Sequence, residues 1–143
     1  MSVGRTWDFI SSPQNLKTIT PERMDIRIEK EVENSGMYAG QIIEYTIRPV
    51  LNISMRWVTE ITHIAPRYYF VDEQRFGPYK FWHHKHFLEE RENGILMTDL
   101  VHYALPLGFM GIMMNSLLVR KKLEEIFDYR QKKLEELFGL PVV

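Results

Sequence analysis

An α+β fold class follows from three features of the sequence. From Met24 to about Leu105 apolar residues recur with a period of two, as in strands, and the period turns helical after Gly108. The chain has 143 residues, 45% hydrophobic and 13% aromatic, which suits one domain with a real core and is short for two. One domain spanning residues 1–143 is therefore expected, with an antiparallel sheet that buries the stripe of a long helix, because neither surface is stable in water alone.

The elements follow in chain order. A short helix is expected around Thr6–Ser11, and Ser12 as N-cap with Pro13 at the first helical position starts a second. Six strands are then read in "MDIRIEKEV", "QIIEYTIR", "ISMRWVTEITHI", "RYYFVDEQ", "FWHHKHFLEE" and "ILMTDLVHYAL". Breaks at Asn34-Ser35-Gly36, Pro49, Ala65-Pro66, Gly77-Pro78 and Asn93-Gly94 separate them, which makes a meander. A helix over about Met110–Phe138 closes the chain. Its apolar stripe is read as Met113, Leu117, Leu123, Phe127, Leu134 and Leu137, with Lys121, Lys122, Glu125, Lys132 and Glu136 opposite.

Composition narrows the function. Lys and Arg number 18 against 19 Asp and Glu, a net charge of −1, so no field draws nucleic acid or an anionic membrane from a distance. There is no cysteine, which removes disulfides, thiolate ligands and a Cys nucleophile and suits a reducing cytoplasm. The start, "MSVGRTWDF", lacks the basic and apolar regions of a signal peptide. The most apolar window, "ALPLGFMGIMMNSLLV", carries Pro106, two glycines and Asn115 and falls short of the roughly 20 residues a membrane span needs. The expectation is a cytoplasmic protein without integral membrane insertion.

The stretch "KFWHHKHFLEE" holds three of the five histidines. If Asn93-Gly94 is a two-residue turn, Leu88 pairs with Asp99, His86 with Val101, His84 with Tyr103 and Trp82 with Leu105. These share the inward face, and His83, Lys85 and His102 point outward. A turn at Ala65-Pro66 likewise sets Trp57 against Gln74, Thr59 against Asp72 and Ile61 against Phe70. Polar groups thus recur on an aromatic inner face. Each must pair with another, hold water or meet a ligand, so a cavity between sheet and helix is expected.

Three stretches, "WDFISSPQNLKTITP", "YFVDEQRFGPYKFWHHKHF" and "DLVHYALPLG", lie in this order along nearly the whole chain. Together they resemble a largely uncharacterised branch of the START-like superfamily, also called SRPBCC, which groups polyketide cyclases and dehydrases with lipid-transport proteins. The resemblance implies a helix-grip fold, a curved sheet of six or seven strands around a long C-terminal helix, with an apolar cavity between them. It implies a binding fold and not a reaction. Members usually have a strand before the first helix, whereas this chain begins almost directly with helix residues. The sheet edge at Met24–Val32, or that at Ile95–Leu105, is therefore expected to be open and to pair in a homodimer.

The expected activity is binding of a hydrophobic or amphipathic small molecule. The ligand-binding set is Trp57, Phe70, Asp72, Gln74, Trp82, His84, His86, Asp99 and Tyr103, with Asp72, Gln74, His84, His86 and Asp99 orienting the ligand. The alternative is a cyclase- or hydrolase-like enzyme using the Asp/His cluster as acid and base. His84-x-His86 has a spacing that can chelate a metal, but no third ligand is forced, and neither a metal nor another cofactor is expected. An interaction module or lipid carrier is the third class, with Met110, Met113 and Met114 as adaptable groups near a cavity mouth. "GPYK" is read as a structural loop.

Overall fold

The structure, a computed structural model, describes residues 2–30, 36–48, 53–106 and 108–139, and of residues 108–116 only the backbone. Asn34, Ser35 and Pro49, expected as breaks, lie outside the described residues, as do the side chains of Met110, Met113 and Met114.

Helix α1 covers Val3–Ile10, three residues earlier than expected, because Ser2 rather than a later residue caps it: its Oγ accepts the backbone N–H of Arg5 at 3.4 Å. The second helix is a 3-10 helix, Pro13–Lys17, and a further 3-10 turn, Glu22–Met24, follows. Asn15 Nδ2 donates to the Phe9 carbonyl at 3.0 Å and so ties the two helical pieces together. Trp7 then reaches the sheet and meets Phe70 edge-on, with ring centroids 5.9 Å apart.

Six strands follow: β1 (Arg27–Ile28), β2 (Ile42–Ile47), β3 (Met55–Ala65), β4 (Tyr69–Phe76), β5 (Phe81–Arg91) and β6 (Gly94–Ala104). They pair antiparallel in the order β1-β2-β3-β4-β5-β6, the expected meander. Helix α2, Gly108–Phe138, closes the chain. The core gathers Trp7, Met24, Ile26, Ile43, Tyr45, Ile47, Ile61, Phe70 and Leu88 on the inner face of the sheet. A second cluster joins Trp82 to Val119 and Leu123 of α2.

Three expectations are corrected. In the last hairpin Arg91 pairs with Gly94, so Glu92 and Asn93 form the loop and Asn93-Gly94 does not. Neither Asn93 nor Gly94 has the positive φ on which the preference of that dipeptide for tight hairpin turns rests. The register moves by two residues: His86 pairs with Asp99, His84 with Val101 and Trp82 with Tyr103. Because the shift is even, every side chain keeps its expected face.

In the β3-β4 hairpin the loop is Pro66-Arg67-Tyr68, with Arg67 at φ 71°, and Ala65 pairs with Tyr69. A bulge at Thr62 then sets Ile61 against Asp72 and Thr59 against Gln74. The extra residue lets Ile61 and Ile64, three positions apart, both pack inward.

The stripe of α2 is the third correction. Leu117 is 79% exposed and Leu137 is 48% exposed, so neither belongs to it. The buried positions are Val119, Leu123 and Arg130, with Phe127 and Leu134 partly covered between and beyond them. Their spacing of four, four, three and four is the helical period seen from a different side than the leucines suggest.

Candidate functional site

Strands β4, β5 and β6 bring four polar side chains to one patch of the inner face. Asp72 lies opposite His84, and His86 lies opposite Asp99, so two diagonal carboxylates flank two imidazoles. His84 and His86 sit two residues apart on β5 and face the same way, with ring centroids 3.7 Å apart. His86 Nε2 is 2.6 Å from Asp72 Oδ2, and its Nδ1 is 2.9 Å from Asp99 Oδ1. His84 Nε2 is 2.8 Å from Asp99 Oδ1, whereas its Nδ1 lies 3.6 Å from Asp72 Oδ2. Aromatic rings frame the cluster: Phe70 stacks on His86 at 4.1 Å, and Trp82 and Phe127 stand edge-on to His84.

This geometry separates the two histidines. An imidazole that donates from both nitrogens must carry both protons, and only His86 has a carboxylate oxygen within hydrogen-bond distance of each. Burial disfavours its charge, but hydrogen bonds to Asp72 and Asp99 outweigh that and raise its pKa. For His84 burial wins, helped by the neighbouring His86 charge, and its pKa falls to about 4. Burial also opposes the charge of both carboxylates. The charge of His84 and the hydrogen bond from His86 outweigh it for Asp72, and the hydrogen bonds of both histidines do so for Asp99; both pKa values are lowered. The cluster thus holds two carboxylates and a neutral His84 beside a His86 whose two carboxylate contacts favour its charged form.

The cluster forms one wall of a cavity of about 160 Å³ between the sheet and α2. Of the residues expected to bind a ligand, Trp57, Phe70, Asp72, Trp82, His84 and His86 line it. Asp99 and Tyr103 instead line a larger groove, about 1260 Å³, between β6 and α2. Met97, Leu123, Phe127 and Arg130 line both spaces and stand where they meet.

Gln74 lines neither. Its Nε2 donates to the Tyr79 carbonyl at 2.6 Å and its Oε1 accepts the Tyr79 N–H at 3.0 Å, so both ends of the amide hold the β4-β5 loop. That loop does more than connect strands: it places the Tyr79 ring 4.8 Å from Trp82 and 5.6 Å from Trp57, where it completes the aromatic wall. No periodicity marks a loop residue, so the sequence carries no signal for Tyr79. Arg130 was also missed, although a signal exists: it continues the spacing Leu123, Phe127, Arg130, Leu134 along a stripe otherwise apolar.

One ligand atom each from Asp72, His84 and His86 lie within 4.8 Å of one another, a set able to hold a metal ion. Both imidazoles already meet a carboxylate at hydrogen-bond distance, so protons can serve this donor set as it stands. Chemically the patch can donate and accept hydrogen bonds and shuttle a proton between a neutral and a charged imidazole.

No family model and no curated protein matches the chain. Solved structures do. TTHA0849 of Thermus thermophilus has a TM-score of 0.70 at 14% identity, over 94% of this chain and 87% of its own. CV1439 of Chromobacterium violaceum reaches 0.71 at 11%, over 97% and 91%. DynU16, from the dynemicin biosynthetic locus, reaches 0.52 at 12%, over 99% of this chain and 45% of its own. At these identities the likeness is one of fold.

Proposed function

We propose that the protein is a START-like ligand-binding protein of helix-grip type, which takes a hydrophobic or amphipathic small molecule between its sheet and α2. The observation that carries this reading is a hydrogen-bonded Asp/His cluster on one wall of a cavity lined mostly by aliphatic and aromatic side chains. A core needs no such cluster, because burying four ionisable groups costs desolvation that apolar side chains of the same volume avoid. A ligand with one polar end gives the arrangement a use, since few well-placed polar groups orient a molecule that apolar walls hold. Asp72, His84 and His86 supply that end, Trp57, Phe70, Tyr79 and Trp82 hold the body, and Asp99 and Tyr103 meet the ligand only where it extends into the groove.

Native mass spectrometry of the protein purified from its own host tests the reading. A small molecule should leave on activation in the gas phase and be extractable into organic solvent. Repeated preparations without any bound molecule, together with no uptake of apolar probes, would count against it.

Acid–base catalysis in the same cavity is a second reading, favoured by the contrast between the two histidines. A neutral His84 can accept a proton and a charged His86 can give one, as a cyclase- or hydrolase-like reaction requires. Turnover of the extracted molecule by wild type and not by His84→Gln would favour it over binding alone.

A further inference from the structure

Helix α2 carries a charge where its packing calls for an apolar residue. Arg130 is only 9% exposed and lies on the stripe between Phe127 and Leu134. Its guanidinium sits over the Phe127 ring, 5.2 Å from the centroid. Among the described residues no hydrogen bond or ion pair engages it, and its Nε is the buried side-chain nitrogen or oxygen left without a partner. The four polar groups across the cavity differ, since each is hydrogen-bonded to another. An arginine donor buried without an acceptor is strongly disfavoured, and native proteins seldom leave one so.

Position and charge say what is missing. Arg130 lines both the inner cavity and the groove, so a ligand that occupies the two must pass it. We propose that Arg130 anchors the polar end of the ligand and that this end is an uncharged acceptor oxygen of carbonyl type, as in a ketone, ester or amide. The inference rests on the cavity-binding reading and adds the head-group chemistry to it. A carbonyl oxygen offers two in-plane lone pairs to a planar donor fork. A carboxylate would do so too, but at a cost. Asp72 and Asp99 already line the two spaces that meet at Arg130, so a third carboxylate there would face like charge.

Matched naphthalenes test this. The probes are 2-acetylnaphthalene, its hydrocarbon counterpart 2-isopropenylnaphthalene, and 2-naphthoate, titrated at neutral pH into wild type, Arg130→Met and Arg130→Lys. Folding of each variant is checked by circular dichroism. The ketone should bind wild type more tightly than the hydrocarbon by on the order of 10-fold, as expected for a hydrogen bond from a charged donor. It should also bind more tightly than the carboxylate. Arg130→Met should abolish the preference for the ketone over the hydrocarbon, and Arg130→Lys should restore it in part.

The infrared carbonyl stretch of isotopically labelled ketone bound to wild type gives a readout that needs no variant, and it should shift to lower frequency than in hydrocarbon solvent. Equal affinities for ketone and hydrocarbon with an unshifted stretch would overturn the inference and leave cavity binding standing. Tighter binding of the carboxylate would overturn the uncharged head group. If no probe binds, the cavity reading and this inference fall together.

Discussion

His84 and His86 share the same two carboxylates yet shift in opposite directions, and their reach to Asp72, 3.6 Å against 2.6 Å, separates them. His86 reaches both carboxylates within 2.9 Å, whereas His84 reaches Asp72 only at 3.6 Å. NMR titration of the ring resonances should therefore show His84 neutral down to about pH 4 and His86 protonated above the ordinary histidine value. The two contribute opposite slopes to stability. Between about pH 6.5 and pH 4 the unfolded chain protonates His84 and the folded one does not, so its contribution falls as acid is added. His86, with a raised pKa, contributes stability that is full below about 6.5 and is lost as pH rises through its folded value. The lowered Asp72 and Asp99 add a second acid loss that begins only below about pH 4. His84→Gln should flatten the pH dependence of the urea midpoint between 6.5 and 4 and also reduce the loss below that, because His84 helps hold both carboxylates low. Asp99→Ala strands the His84 N–H and half of the His86 charge, and should destabilise by about 3 kcal/mol in chemical denaturation. Asp99→Asn, which keeps an acceptor, should cost less.

Two small devices decide how the elements serve the cavity. The bulge at Thr62 turns the end of β3 so that Ile64 joins the core. The clip from Gln74 to Tyr79 holds the β4-β5 loop against the aromatic wall. Gly77 leaves room for that clip: a Cβ there would sit 2.6 Å from Gln74 Oε1. Gln74 cannot swing away without giving up both bonds to Tyr79, so Gly77→Ala should lower stability by about 1–2 kcal/mol. Gln74→Ala should cost a similar amount, and the double variant less than the sum, because both act on one clip. Thermal melts measure the cost. Tryptophan fluorescence should report release of Tyr79, since Trp57 and Trp82 both touch its ring.

At the scale of the whole molecule the sheet is open at both ends of its strand order among the described residues. β1 is only two residues long, whereas β6 runs for 11 and pairs on one side, with β5, among the described residues. Its one charged residue, Asp99, points inward, and Leu96 and Leu100 on its outer side are 44% and 43% exposed. Edge strands that stay unpaired usually carry lysine, proline or a bulge, and β6 carries none of these. Of the two edges the sequence offered for self-association, β6 is thus the better template. The protein should form homodimers by β6–β6 pairing, visible as concentration-dependent mass in sedimentation equilibrium. Leu100→Lys should shift it toward monomer without altering the inner face. A monomer mass at every concentration would remove the idea.

Strand parity was legible in the sequence because it is local. A period of two in "FWHHKHF" places His84 and His86 together and His83 apart whatever partner strand they meet, and an even register shift leaves that unchanged. The element order was legible for the same reason, since each strand and the final helix announce their own period. What tertiary structure decided is which residues of different strands meet. Both registers bury the same face, so what outweighs the Asn93-Gly94 preference of backbone conformation is which side chains meet across the strands. The register adopted is the one that sets Asp99 beside His86 rather than one pair beyond it. The bulge at Thr62, the Tyr79 ring in the wall and the buried Arg130 likewise depend on contacts between segments far apart in the chain. Periodicity says which face a residue takes, and only the packing of one element on another says what it finds there.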